Sequence, residues 1–274
     1  MQCFYPISIK DPKSENPANR ISVPCGRCAP CLGNRRQEWV TRLEQELRVS
    51  DSAHFLTLTY AIEPVLDGKA TLVKADVQKW MKRLRKALKG VKIKYYLCGE
   101  YGSKTYRPHY HAIMFNLPYE GDKLLELLLK TWKHGFISVG TVTSKSINYT
   151  LKYMLQPVEK RKKIYDGREL PFALMSKGLG ISYIDKFKDW HLDDKNRNYV
   201  VKQDGQKFRL PRYFREKLYN DTERRMQFER GLLRRYRQDR ESDAPQLSDV
   251  RDMDSRKAYY EESIRKRSKN SDKL

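Results

Sequence analysis

The sequence contains no apolar run near the ~20 residues that a membrane-spanning helix requires, so no integral membrane segment is expected. The opening Met1-Gln2-Cys3-Phe4-Tyr5-Pro6 lacks a basic region followed by an apolar stretch, so no secretory signal is visible and work in a cytosol is expected. No Gly-rich loop ending in Lys-Ser/Thr occurs, which speaks against a fused P-loop helicase. Cysteine is sparse, and five cysteines in a cytosolic chain point to metal or free thiols rather than disulfides. Negative charge is also short: 34 acidic residues face 56 basic ones, a formal net charge of +22. An enzyme of small neutral or acidic metabolites has no need of that surplus. A protein that lies along phosphates does, because each Lys or Arg brought to a phosphate releases condensed counterions. A merely soluble charged surface and an anionic membrane surface are the competing explanations.

The 274 residues suit one domain with elaborations or one domain with a tail, and 39 % apolar content supports a core. Residues 1–32 read as an irregular, cysteine-containing segment broken by Pro6, Pro12, Pro17, Pro24 and Pro30. Asn34 can cap a helix to about Val49, with Trp39, Val40, Leu43 and Leu47 at helical spacing. Phe55-Leu-Thr-Leu-Thr-Tyr60 alternates like a strand. A helix from about Asp76 buries Val77, Trp80, Met81, Leu84 and Leu88 and ends before Gly90. Lys94–Glu100 and His109–Phe115 form a hairpin, a leucine-rich helix covers 121–133, and Phe136–Val139 is a further strand. Ser144 can cap a helix through Gln156, ended by Pro157. This order predicts an α+β fold with a central antiparallel sheet and flanking helices over 33–210. Residues 211–274 are expected to be a basic helical or mobile tail.

His109 and His111 stand two apart on a strand, so their imidazoles share one face and can hold a divalent ion. Glu100, near the end of the partner strand, can add a carboxylate oxygen. Two imidazoles and one carboxylate leave positions open for water and a phosphate oxygen, which suits Mg²⁺ or Mn²⁺. The competing reading of Glu100 is a surface carboxylate paired with Lys or Arg. His54 is read as incidental, and His134 as a cation at a helix C-terminus.

Tyr149 and Tyr153 are four apart and share a helix face, nearly opposite the apolar Ile147, Leu151, Met154 and Leu155. A phenol titrating near pH ~10 is a poor nucleophile unless its proton is removed or its anion stabilised. Lys152 and a nearby metal-bound water can each help. The alternative is that both rings simply cover a sheet edge or stack on bases.

Cys25, Cys28 and Cys31 recur at two-residue intervals with Cys3 upstream, and four thiolates make a closed tetrahedral Zn²⁺ site that can fold a short segment. The run also resembles the start of an iron–sulfur motif, but a fourth cysteine before a proline is missing, so zinc is preferred; free thiols remain an alternative. Lys104, Arg107, Lys145 and Lys152 surround the candidate site and can meet phosphates, with Arg35, Arg36, Lys82, Arg83 and Lys177 as further candidates. Tyr106 and Tyr110 can stack on unpaired bases.

Taken together, Phe55-Leu-Thr-Leu-Thr-Tyr60, Gly99-Glu-Tyr-Gly102, Arg107-Pro-His-Tyr-His-Ala112 and Tyr149-Thr-Leu-Lys-Tyr153 resemble the HUH endonuclease superfamily. Within it the chain is most similar to the rolling-circle replication initiators of microviruses, small phages with circular single-stranded DNA. The resemblance implies an HUH-like fold, a metal held by His109, His111 and Glu100, and Tyr149 and Tyr153 as nucleophiles. It further implies nicking of single-stranded origin DNA, a 5′-phosphotyrosine link, and a 3′-hydroxyl extended by a host polymerase with a host helicase, in the cytoplasm of a bacterial host. The competing functions are a non-catalytic single-stranded nucleic-acid binder and a relaxase or transposase of the same superfamily.

Overall fold

The computed structural model describes residues 3–12, 14–102, 104–153, 167–194, 196–202, 205–241 and 258, with the side chains of 152, 153, 228, 232 and 234–241 outside that set. Along the chain the elements are strands β1 (Ile7–Lys10) and β2 (Arg20–Val23), helix α1 (Ala29–Leu47), strand β3 (Ala53–Thr59), and a short hairpin of β4 (Val65–Leu66) and β5 (Lys69–Ala70). Helix α2 (Lys74–Ala87), strands β6 (Lys94–Tyr101) and β7 (Pro108–Phe115), helix α3 (Gly121–Trp132), strand β8 (Ile137–Thr141) and helix α4 (Ser144–Tyr153) follow. Beyond them come β9 (Phe172–Met175), α5 (Ser182–Asp193), β10 (Tyr199–Val201), β11 (Lys207–Arg209), α6 (Arg212–Leu218) and α7 (Asp221–Glu241). The chain divides into two compact units, Leu32–Leu218, and Met1–Cys31 together with Tyr219–Leu274. No helix among the described residues is long and apolar enough to cross a membrane.

The larger unit is built on a five-stranded antiparallel sheet in the order β8-β3-β7-β6-β9. Alternation along each strand sends neighbouring side chains to opposite faces. Leu56, Leu58, Tyr110, Ala112 and Met114 face one layer, where Val77, Trp80, Met81 and Leu84 of α2 and Leu124, Leu128 and Trp132 of α3 bury them. Tyr96, Ile113 and Phe115 face the other layer, under Val40 and Leu43 of α1 and Ile147 and Leu151 of α4. Each fully buried Leu, Ile or Phe in these layers stabilises by roughly 1.5–3 kcal/mol. Polar pins set the helices. Trp80 Nε1 donates to Thr131 Oγ1 (3.1 Å), and Trp132 Nε1 donates to the Thr59 carbonyl (3.0 Å). Buried Glu46 accepts from Lys94 Nζ (2.7 Å) and from the Gly180 amide (2.7 Å), tying α1 to the sheet edge.

The fold class is the expected one, α+β with a mainly antiparallel sheet. Several local expectations shift. Helix α1 begins at Ala29, ahead of Asn34, because Pro30 falls in the first turn, where its missing N–H is no loss. The segment before it holds the β1–β2 hairpin, registered from Ile7↔Val23 to Lys10↔Arg20, despite its prolines. Helix α4 is capped by Thr143, whose Oγ1 accepts the Ser146 amide (3.2 Å) while Ser146 Oγ accepts the Thr143 amide (2.7 Å). Its expected end at Gln156 and Pro157 lies outside the described residues. Strand β9, unread in the sequence, supplies the fifth strand. The basic stretch 211–240 is two helices, because Asn220 and Glu223 form a reciprocal capping box that starts α7 afresh.

Tyr110 corrects one functional expectation. Lying between His109 and His111, it points to the opposite face and is fully buried. Its hydroxyl meets Tyr60 Oη (2.8 Å) and accepts the Val73 amide (2.8 Å). Gly99 stands opposite it in the register, and an added Cβ there would come within 3.0 Å of the Tyr110 ring. Burial pushes its phenol up to about 12. It is a core tyrosine and offers no surface to a base. Lys82 and Arg83 lie on α2, across the sheet from the histidines, and Arg83 caps α3 by donating to the Thr131 and Trp132 carbonyls (2.7 and 3.1 Å). Tyr110→Phe is therefore expected to cost about 1–3 kcal/mol by leaving the Val73 amide unpaired. A lowered Tm with unchanged single-strand affinity checks this; a loss of affinity at unchanged Tm would contradict it.

Candidate metal and nucleophile site

The hairpin register builds the site. Glu100 stands opposite His109, and Cys98 opposite His111, while on the other flank Thr59 and Thr57 stand opposite the same two histidines. All these side chains share the face that carries α4. Glu100 Oε1 lies 2.9 Å from His109 Nε2 and 3.2 Å from His111 Nε2, and the two rings are 5.0 Å apart. Neighbouring ligands around an ion with bonds of about 2.1 Å are separated by about 3 Å, so the spacing suits a small divalent cation.

Proton bookkeeping supports the same fit. His109 Nδ1 faces the Arg107 carbonyl at 3.1 Å, which can only accept, so Nδ1 carries a proton. Its Nε2 then meets the carboxylate either as an imidazolium or as a lone pair sharing a cation with it. His111 Nδ1 meets Thr57 Oγ1 at 3.0 Å. His111 Nε2 and Glu100 Oε2 are buried without a well-aligned hydrogen bond among the described residues. The 3.2 Å approach of His111 to Glu100 is thus a convergence of two donor atoms rather than a hydrogen bond. Glu100 is 3 % exposed, and a buried carboxylate needs a positive partner. Burial alone would lower the His109 pKa, but the Glu100 hydrogen bond, the Arg107 carbonyl and the Glu100 charge together raise it.

Helix α4 brings Tyr149 to this corner. Its ring packs edge-on against His111 with centroids 5.2 Å apart and against Phe55 at 6.4 Å, and the residue is 42 % exposed. Two tethers hold the helix there. Arg36 Nη2 donates to Asn148 Oδ1 (2.9 Å) and to the Asn148 carbonyl (3.3 Å), and Cys98 Sγ reaches the Thr150 carbonyl (3.6 Å). The side chains of Lys152 and Tyr153 lie outside the described residues. Lys104, Tyr106 and Lys145 are exposed. Arg107 Nε is ion-paired with Glu63 (2.6 Å), so its evident service to the site is its carbonyl. His54 lies at the other end of β3, opposite Met114, and is not in the cluster. Sequence reasoning missed Thr57 and Arg36; only the strand order and the α1–α4 contact reveal them.

The smaller unit has its own cluster. The sulfurs of Cys3, Cys25, Cys28 and Cys31 all lie within 4.8 Å of one another. Cys28 and Cys3 sulfurs are 3.7 Å apart, near the ~3.8 Å edge of a tetrahedron with metal–sulfur bonds of ~2.3 Å. The Cys25 amide donates to Cys3 Sγ (3.2 Å) and the Cys28 amide to Cys25 Sγ (3.3 Å). Burial would raise the Cys25 thiol, yet the Arg27 and Cys28 amides and the neighbouring thiols hold it down at about 6, a thiolate at neutral pH. Burial raises Cys3 and Cys31.

With this geometry in place, sequence comparison defines the class. Residues 53–157, which contain β3, the β6–β7 hairpin and α4, match the profile of a family of replication-associated proteins, the ORF2 type, and the chain belongs to that family. It is 30 % identical to the replication-associated protein ORF2 of Spiroplasma virus 4 over 217 residues, covering 70 % of this chain and 66 % of that protein. It is 29 % identical to the replication-associated protein VP4 of Bdellovibrio phage phiMH2K, covering 72 % of this chain and 67 % of the relative. A third relative, the replication-associated protein ORF4 of Chlamydia phage 1, is 27 % identical, with 53 % of its length covered. The chain thus spans about two thirds or less of the length of these relatives. No solved structure matches it.

Thr57→Val keeps the shape of the strand but removes the group that orients His111. Such outer partners typically matter about 10–100-fold, so Mn²⁺ affinity measured by calorimetry is expected to fall by roughly that factor. Affinity should also fall with falling pH, beginning above the ordinary histidine range. The raised His109 pKa keeps its Nε2 protonated there, and a protonated nitrogen has no lone pair to give.

Proposed function

We propose that this chain initiates DNA replication by nicking single-stranded origin DNA through a tyrosine, in a bacterial cell infected by a small phage. The observation that carries the reading is the seat of Tyr149, a half-exposed phenol ring 5.2 Å from the ring of His111, in a corner where two imidazoles and a buried carboxylate converge. Membership of the replication-associated family and the +22 charge support the choice of DNA as substrate.

Mg²⁺ or Mn²⁺ held by His109, His111 and Glu100 would supply Lewis acidity, drawing charge from a scissile phosphate. The residues of the chain do the rest. Tyr149 Oη attacks phosphorus in line; the new bond is a phosphotyrosine, and the P–O3′ bond breaks. The phenol loses its proton and the departing O3′ gains one, leaving a 3′-hydroxyl for a host polymerase working with a host helicase. The ester's energy is kept in the protein–DNA link, so no nucleotide is consumed. Tyr153, one helical turn on, is assigned the second cut that closes the circle, and Lys152 the stabilisation of a phenolate. Lys104 and Lys145 are assigned to phosphates near the cut.

In the smaller unit we assign the four thiols to a structural Zn²⁺. Amide-to-sulfur hydrogen bonds and a thiolate already favoured at Cys25 are what a closed tetrathiolate site needs.

Two experiments test these assignments. Incubation with single-stranded origin DNA and Mn²⁺ should yield a denaturation-resistant adduct, lost with chelator and in the Tyr149→Phe, Tyr153→Phe double variant. Normal cutting by that double variant would end the tyrosine mechanism, and binding without any cutting would favour a non-catalytic binder. Protein purified without added metal should carry close to one equivalent of zinc by elemental analysis, and Cys28→Ser should lose it along with thermal stability. Full zinc content in Cys28→Ser would reject the site.

A further inference from the structure

One exposed aromatic on the metal-bearing face has no place in the scheme above. Phe136, at the entry to β8, exchanges two backbone hydrogen bonds with Thr59 (3.0 and 3.1 Å). Thr59 stands opposite His109, and His109 opposite Glu100. Paired residues on antiparallel strands present their side chains to the same face. Phe136, Thr59, His109 and Glu100 therefore form one row across the sheet. Two strand spacings of ~4.8 Å put Phe136 about 10 Å from His109 along that row.

The position is fixed rather than incidental. A Cβ added to Gly135 would fall 2.3 Å from the Ala61 amide nitrogen and 2.5 Å from the Thr59 carbonyl. Only glycine allows β8 to approach β3 this closely, and that approach seats Phe136 in the row. The ring is not used for packing, being 67 % exposed. In the next row Ser138 stands opposite Thr57, and in the one after that Gly140 stands opposite Phe55. These are small residues, and both are exposed. Helix α4 packs over β6 and β7, so this strip on the β8 side of the histidines stays open. Exposed Lys145, in the first turn of α4, adds positive charge near the strip.

We infer that Phe136 is a stacking platform for a base of the single-stranded DNA that flanks the scissile phosphate, with the strand running over the β3–β8 strip toward His109. The inference rests on the reading of DNA as substrate. An open aromatic beside small residues accepts the flat face of any base, and the phosphates on either side of that base meet a positively charged protein. The ring therefore adds affinity that does not depend on salt, beside the salt-dependent contribution of the lysines.

The test is binding, separate from cutting. The full-length Tyr149→Phe protein is titrated into a fluorescent mixed-sequence single-stranded oligonucleotide without added divalent ions, and anisotropy is followed across a salt series. Phe136→Ala should weaken binding roughly 5- to 150-fold. Its salt slope and its Tm should match those of the parent, and Phe136→Trp should restore affinity. Lys145→Ala should instead flatten the salt slope. Affinity unchanged in Phe136→Ala would overturn the proposal, as would a Phe136→Trp protein as weak as the alanine variant. Loss of self-association in sedimentation at unchanged DNA affinity would assign the ring to a second copy of the chain and also overturn it. Absence of an adduct in the nicking assay, with the Phe136 dependence intact, would remove the tyrosine mechanism but not the platform.

Discussion

A carboxylate almost sealed from water must be balanced by positive charge, and at Glu100 that demand falls on two imidazoles. His109 has spent its Nδ1 proton on a backbone carbonyl, and His111 has its Nδ1 against a threonine hydroxyl. What remains at the centre is one carboxylate oxygen facing two ring nitrogens at about 3 Å, an arrangement a divalent cation satisfies directly. Without a cation, the corner holds together only while a proton takes its place, which is why His109 is pushed toward its charged form. The rest of the larger unit can be understood as holding this corner still.

The sheet does so through register. Glu100, His109 and Thr59 fall in one row and Cys98, His111 and Thr57 in the next, so a single slipped residue would turn every ligand into the core on the other face. The opposite layer, packed by α2, α3 and the Tyr60–Tyr110 hydroxyl pair, is what resists such a slip. Helix α4 is positioned separately. The Thr143–Ser146 cap sets where it starts, buried Ile147 and Leu151 set its rotation, and Arg36 clamps the residue next to Tyr149. Rigid elements thus present both the ligands and the phenol, as a reaction depending on in-line geometry requires.

Much of this was legible in the sequence, and the reason is periodicity. The i, i+2 spacing of the histidines placed them on one face, the hairpin placed Glu100 beside them, and the helical spacing of Ile147 and Leu151 turned Tyr149 away from the core. The same alternation, applied one residue further, would have buried Tyr110; its aromatic character drew it into the list of base-stacking candidates instead. Other features depend on pairings that no local pattern carries. Thr57 matters because β3 lies beside β7, and Arg36 because α1 crosses near α4. Strand β9 was unread because its four half-buried residues, Phe172–Met175, show no alternation. The proline-broken N-terminal segment looked irregular because a hairpin beside clustered thiols draws little on hydrophobic pattern.

The claim on which this account turns is that one divalent ion sits between His109, His111 and Glu100 beside the Tyr149 ring. Anomalous scattering from crystals soaked in Mn²⁺ tests it most directly. The account requires a manganese peak within bonding distance of Nε2 of both histidines and Oε1 of Glu100. A fully occupied manganese elsewhere, with those three atoms still in contact and no peak between them, would contradict it.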